Sequence, residues 1–342
     1  MKNSWLYILL FAFALPCVFA ADVVFGSVHI PLRELWCFVR GQECNTIYSS
    51  IIENIRIPRA LVALLTGLAL PVSGLCMQTF FRNPLAGPDI LGVSTGASLG
   101  VALFSLAGGV GGIVATQNLS VLGGLGSVAS AAAGAMLIMG LILVVAPKMY
   151  DTSTLLIVGI MFGSITSAVV SVLQYLSNPQ EIQQFLMWTF GSFSGIRMAH
   201  IGIMASIILP ALVGVFALQK SLNALLLGEN YARGLGVSIG QLRFMILLLS
   251  SVLAAVITAF TGPIGFVGMA IPHIARMIFR TANHQILIPA SALIGANLVL
   301  VCDLFSQLPG FESSLPINVV TSIVCAPVVI FVIFSSRTFQ RS

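Results

Sequence analysis

Apolar residues dominate this chain in long runs, and short polar stretches punctuate them. Ten runs stand out: 5–24, 60–81, 90–107, 121–146, 154–176, 201–218, 244–260, 264–278, 286–301 and 319–334. A helix needs about 20 residues to cross the hydrocarbon core of a bilayer. The pattern therefore predicts ten membrane-spanning helices. Strands of a membrane barrel would alternate apolar and polar positions over about 10 residues, and these runs do not alternate. The eighth run is short and contains Pro272. A further apolar piece, 185–193, is too short to cross and is expected to lie at the surface or to re-enter.

Composition supports the same reading. Of 342 residues, 58% are hydrophobic and only 7% charged, where a soluble domain carries about 25% charged residues. The fold class is all-α, a polytopic membrane protein forming a single domain over residues 1–342. The net charge of +5 is no nucleic-acid signal, because the basic residues are scattered singly. They set orientation instead, since cytoplasmic loops are enriched in Lys and Arg. With the N-terminus inside, Lys2, Arg82, Lys148, Lys220, Arg233, Arg243, Arg276, Arg280, Arg337 and Arg341 face the cytoplasm; Arg33, Arg40, Arg56, Arg59 and Arg197 face outward. Ten against five places both termini in the cytoplasm. The acids Asp22, Glu34, Glu43, Glu53, Glu181, Asp303 and Glu312 fall on the outer side, though the bias rule gives acids little weight. The first run also resembles a secretory signal, and we read it as a retained span. Cys37 and Cys44 share the outer segment, 25–57, where either a disulfide or two free thiols is compatible with an oxidising compartment.

Outside the eighth run the span interiors hold no Asp, Glu, Lys, Arg or His. Such residues in a membrane usually mark ion or proton pathways, so no internal energy coupling is visible. ATP hydrolysis by a phosphate-binding loop needs Gly-Lys-Ser/Thr; the lysines are Lys2, Lys148 and Lys220, and none follows a glycine. If the protein pumps, another chain supplies the energy.

Four stretches carry candidate function. "LLLGENYARGLGVSIGQLRFMILLL", 225–249, is a polar, glycine-rich island between apolar ends. It reads as a short helix, a break at Gly234 and Gly236, and a second short helix leading into the next span, with glycine permitting a left-handed cap. Such a knob fits a cleft on a partner; an ordinary loop would explain the polarity alone. "FFRNPLAGPDILGVSTGASLG", 80–100, repeats glycine at 92, 96 and 100, a stripe that lets membrane helices approach closely. It also holds Ser94 in a formal G-x-S-x-G, but a nucleophile elbow needs a strand–turn–helix context. "IRIPRAL" places Arg56 and Arg59 just outside the second span, to anchor in headgroups or to meet a soluble partner. "TGPIGFVGMAIPHIARMI" opens on Gly262-Pro263; with Gly87-Pro88 it gives one helix break on each face, a hint of inverted repeats.

Together "RIPRALVALLTGLALPVSG", "RNPLAGPDILGVSTGASLG", "WTFGSFSG", "LGENYARGLGV", "GPIGFVGMAIPHIAR" and "LPINVVTSIVCAP" resemble the FecCD-type permease family of bacterial ABC importers for iron–siderophore complexes, cobalamin and haem. The matches span Arg56 to Pro327. The resemblance implies an inner-membrane permease dimer, more simply a homodimer, enclosing a path. Two cytoplasmic ATPase subunits would consume ATP-Mg, while this chain binds no cofactor and no metal. A periplasmic or lipid-anchored binding protein would deliver the ligand. By the same resemblance the segment 221–241 forms the coupling helices, with Gly228, Glu229, Ala232, Arg233, Gly234, Leu235 and Gly236 at the ATPase contact. Arg56 and Arg59 look like docking arginines for the binding protein, with Gln307 standing where a third is often found. Asn83, Leu85, Thr152 and Ser153 look like the cytoplasmic gate. An ion-coupled carrier, an intramembrane protease using Ser94 and a membrane scaffold are the rival readings.

Overall fold

The computed structural model describes residues 2–26, 28, 30–40, 46–106, 120–149, 152–307 and 314–339, and it is helical along nearly all of them. The helices are α1 (Lys2–Val24), α2 (Leu32–Val39), α3 (Thr46–Ile51), α4 (Ile57–Phe81), α5 (Val93–Leu106), α6 (Ser120–Val145), α7 (Thr152–Leu176) and α8 (Pro179–Thr189). They continue as α9 (Met198–Ala217), α10 (Gln219–Leu226), α11 (Glu229–Gly234), α12 (Ile239–Thr261), α13 (Val267–Phe279), α14 (His284–Ser306) and α15 (Ile317–Phe339). Each of the ten apolar runs falls on one of the longer helices. Among the described residues seven helices are long and apolar enough to cross a membrane; Val93–Leu106, Val267–Phe279 and Ile317–Phe331 are shorter apolar helices.

The centre of the bundle is α4. Of its 25 residues, 21 are buried, and it packs against α1, α9, α12, α13 and α14. It continues α3 without a break through the π-helical turn Ile52–Arg56, where Ile57 N–H donates to Ile52 O, and Pro58 follows that turn. Its end is set by Arg82, whose φ of 48° stops the helix in the left-handed region. A second group forms where α5 packs along α6 and against α7, and α12 touches both groups. The glycine stripe does what its spacing predicts: a Cβ on Gly100 would come within 1.9 Å of the Ser130 carbonyl oxygen on α6. The outer surfaces of α1, α7 and α9 stay apolar and open, with Phe13, Ile165 and Val213 among the exposed side chains.

Three details differ from the sequence reading. The helix begun by the ninth run extends to Ser306, so Asp303 lies within α14, fully buried, and Asp22 is buried in the last turn of α1. Solvated outer loops were the wrong setting for both acids. The piece at 185–193 belongs to a helix that starts earlier, at Pro179, where the Glu181 carboxylate accepts from the Asn178 backbone N–H at 3.3 Å. The island is not broken at Gly234 into two short helices. Its short helices are α10 and α11, divided at Gly228, and Gly236 separates α11 from the long α12.

One glycine is fixed twice over. Gly262 ends α12 with φ 76° and ψ 176°, a region essentially closed to other residues. An added Cβ would also meet the Trp188 carbonyl oxygen at 2.3 Å. Around it the 188–195 loop is stitched down: Ser192 N–H donates to Thr261 O at 2.8 Å, and Ile317 N–H donates to Gly191 O at 3.3 Å. Gly262→Ala is expected to destabilise by about 3 kcal/mol, combining backbone strain and overpacking. Gly265→Ala, whose Cβ would meet only Asn318 Oδ1 at 3.4 Å, should melt near the parent. Thermal unfolding of both variants in detergent checks the contrast.

Candidate functional site

The island closes the inner end of the bundle. Gly228, with φ 119°, lets the chain turn sharply between α10 and α11. At the other end of α11, Val237 N–H donates to Ala232 O at 3.0 Å and Gly236 N–H to Arg233 O at 2.9 Å, which satisfies the last carbonyls of the helix. Ala232 is fully buried and pins α11 to the bundle. The rest of the knob faces out. Leu227 is 67% exposed and Leu235 60%, with Leu226 and Tyr231 beside them. A contiguous exposed apolar patch of this kind marks a contact surface. Grooves of about 270 and 700 Å³ flank it, the first lined by Pro147, Arg233 and Arg243, the second by Ser221, Leu235 and Gln241.

The three charged residues of the island have different roles. Arg233 lies 3.9 Å from Glu229 one turn away and is 64% exposed. An exposed pair of this kind contributes little to stability, so its guanidinium is available to a partner. Arg243 is nearly buried. It donates to Met149 O at 2.7 Å and Ala146 O at 3.2 Å, stands 3.9 Å from Glu229, and sits over the Phe80 ring at 5.8 Å. It thus joins the island to the carbonyls at the end of α6.

The residues expected to form the gate occupy the same end. Asn83 Oδ1 accepts from Leu85 N–H at 2.9 Å, folding the loop on itself, and Leu85 is exposed. His273 on α13 donates from Nε2 to Pro84 O at 2.7 Å. Arg276 donates to Gln78 Oε1 at 2.5 Å, and Gln78 donates to Met269 O at 2.9 Å. Thr152 and Ser153 open α7, with Ser153 exposed. That helix packs on the 3-10 turn Pro88–Leu91 that follows the Asn83 loop. Ser94 donates to Asp89, and His273 is held at Pro84; no serine–histidine pair forms between them, which removes the geometric basis of the protease reading.

At the outer end Arg56 and Arg59 are both buried. Arg56 donates to Val23 O at 2.9 Å, Val24 O at 2.6 Å and the Val28 carbonyl, capping the end of α1. A cation there also meets the negative end of the helix dipole. Arg59 grips Asp303 through Nε and Nη2, at 2.8 to 3.0 Å, and adds Ser194 and Ser306. Gln307 donates to Asp303 at 2.9 Å and to Asp22 at 3.4 Å. The expected docking pair is therefore turned inward in this conformation: Arg59 pairs the buried Asp303, which needs a partner, and Arg56 is taken up by carbonyls at the end of α1. The cations exposed on this side are Arg33, Arg40 and Arg197. Of the candidate disulfide pair, Cys37 lies in α2 and Cys44 lies outside the described residues.

Sequence reasoning missed the partners that hold the knob: Asn223, Asn283, His284 and Thr79. They sit on three helices and a cap, and no local spacing links them. Sequence did show Arg243 within the island, but not its carbonyl partners.

Among the described residues the fold is a bundle of membrane-length helices with an exposed, glycine-hinged knob at one end. The chain belongs to the FecCD transport family, which matches residues 10–335. It is 35% identical over 319 residues to the hemin transport system permease protein HmuU of Yersinia pestis, covering 93% of this chain and 91% of that one. It is 36% identical over 312 residues to the vitamin B12 import system permease protein BtuC of Klebsiella pneumoniae, covering 91% and 88%. Its fold is similar to that of an inward-facing metal-chelate type ABC transporter, with a TM-score of 0.79, 28% identity, and coverage of 94% and 98%. ATP hydrolysis in such importers belongs to a separate ATPase.

The Arg59–Asp303 pair yields a stability test. Arg59→Met alone leaves a buried carboxylate without its partner and should cost about 3–5 kcal/mol, while Arg59→Met with Asp303→Leu should recover most of it. The readout is melting temperature in detergent. An Arg59 that served only a partner would leave the single variant's melting unchanged.

Proposed function

We propose that this chain is the path-forming permease subunit of an ATP-driven, binding-protein-dependent importer of a bulky metal chelate. The exposed knob on α10 and α11 carries the reading. Two permease subunits, in the simplest case identical, enclose the path in the inner membrane through ten crossings each, with both termini in the cytoplasm. The open apolar face of α7 suits that second copy and the path beside it. Cytoplasmic ATPase subunits seat Gly228, Glu229, Ala232, Arg233, Gly234, Leu235 and Gly236 in a cleft. ATP-driven closure of the ATPase pair moves the knob, and the knob moves the spans behind Asn83, Leu85, Thr152 and Ser153.

The substrate class is the shared chemistry of the relatives: haem, cobalamin or an iron–siderophore complex. The nearly charge-free spans favour weak, neutral contacts, which release a large chelate instead of trapping it. A binding protein docks at the outer face, where the exposed Arg33, Arg40 and Arg197 meet acidic groups while Arg56 and Arg59 brace the surface beneath. We read the first span as retained, a reading supported by the bond from Asn297 to Phe11 O at 3.1 Å and by Arg56 at the end of α1.

Reconstitution tests this reading. Haem, cyanocobalamin and a ferric hydroxamate are offered separately to vesicles containing the chain, its ATPase and its binding protein. Accumulation of at least one should require ATP. Arg233→Glu should cut ATPase stimulation and uptake about tenfold, corresponding to about 1.4 kcal/mol of interface energy, with binding-protein affinity retained. Uptake against a gradient without the ATPase would overturn the proposal and favour an ion-coupled carrier.

A further inference from the structure

The coupling knob is held to the bundle unevenly, and the stronger attachment runs through one buried histidine. His284 opens α14 and is 1% exposed. Its ring Nδ1 lies 2.8 Å from Asn223 Oδ1 on α10, and its Nε2 lies 2.8 Å from Thr79 Oγ1 on α4. The orientation of the Asn223 amide is fixed from both sides. The His284 backbone N–H, a donor only, faces the same Oδ1 at 2.8 Å. On the other side Asn223 Nδ2 donates at 2.8 Å to Asn283 Oδ1, which also accepts from Gln285 N–H at 3.0 Å. The atom 2.8 Å from ring Nδ1 is therefore an acceptor, so Nδ1 must carry a proton. This holds whether or not Nε2 is also protonated, because the Thr79 hydroxyl can donate to Nε2 or accept from it while Leu75 O stands 2.9 Å away.

We propose that His284 is a positioning residue that joins coupling helix α10 to α4 and α14 through an obligatory Nδ1–H. This rests on the coupling role proposed for the knob. Arg82, at the end of α4, adds a bond to Leu225 O at 3.3 Å. Helix α11 lies beyond the Gly228 turn; among the described residues its side chains reach the bundle through the buried Ala232 and the 3.9 Å contact of Glu229 with Arg243. Force received by the knob thus passes through α10 into α4 and α14 as one body, and α11 is the compliant part.

The test uses side chains that copy one ring nitrogen at a time. The amide nitrogen of Asn overlies Nδ1, and that of Gln overlies Nε2. In the assembled transporter His284→Asn is expected to keep uptake per ATP close to the parent. His284→Gln and His284→Ala should lose about tenfold, because Asn223 Oδ1 keeps the backbone N–H of residue 284 but loses its side-chain donor, with the ATPase still bound. Gln rescuing as well as Asn, or Ala matching the parent with the ATPase bound, would overturn the joint. Nitrogen-15 spectra of the unaltered chain give an independent reading on the isolated protein: a His284 signal showing a protonated Nδ1 supports it, and a ring protonated on Nε2 alone overturns it. An ATPase that fails to bind the parent chain would instead overturn the coupling reading, and with it the role given to His284.

Discussion

Backbone contact between α4 and its neighbours is the constraint on which the rest of the fold depends. Lipid tails are as apolar as leucine, so helices in a bilayer gain nothing by hiding hydrocarbon from water. Close packing and hydrogen bonds must hold them instead. Gly74 of α4 lies so near Gly268 of α13 that an added Cβ would stand 1.7 Å from the Gly268 carbonyl oxygen. Gly67 meets Gly295 of α14 in the same way, at 2.5 Å. These approaches fix where α13 and α14 can lie, and therefore where His273, His284 and Asp303 emerge.

The two ends of α4 are then closed by different chemistry. The outer end is ionic and multidentate, with Arg59 spread over Asp303, Ser194 and Ser306. A buried charge pair of this kind is costly to part, because each partner left alone is an unpaired charge. The other end uses amide, hydroxyl and imidazole groups on Gln78, Thr79, Asn223 and His284, each bond worth less on its own, with Arg276 and Arg82 adding one bond each to Gln78 Oε1 and Leu225 O.

The fold was legible in the sequence because the bilayer leaves a span few alternatives: ten apolar runs fall on ten helices, and a glycine period of four becomes a helix contact. The knob was legible because a polar island in an apolar chain has few explanations. Its break at Gly236 was placed correctly and the one at Gly228 was missed, since Gly228, Gly234 and Gly236 look alike in sequence and only the backbone shows that Gly228 and Gly236 take positive φ while Gly234 stays helical. The burial of Arg56 and Arg59 was not legible for a related reason. Position relative to the membrane follows from the runs, but pairing with an aspartate 244 residues away does not. The same limit hid the Asn223–His284–Thr79 chain, whose members are ordinary polar residues until the fold brings them together.

The island's place in the chain explains how one push could reach the whole bundle. Through α10 it is tied to α4 and α14. Through Arg243 it is tied to the carbonyls ending α6, just ahead of α7, and through α12 it runs directly into the core between the two helix groups. Gly228 lies between the first tie and the others. A displacement that bends the chain there moves the α4–α14 body against the α5–α7 body, without breaking either. Rocking of two packed groups about a fixed seam is a general route to alternating access. The two ties differ in kind: side-chain and backbone hydrogen bonds of 2.8 Å join α10 to α14, while Arg243 reaches Met149 O at 2.7 Å and Glu229 of α11 at 3.9 Å.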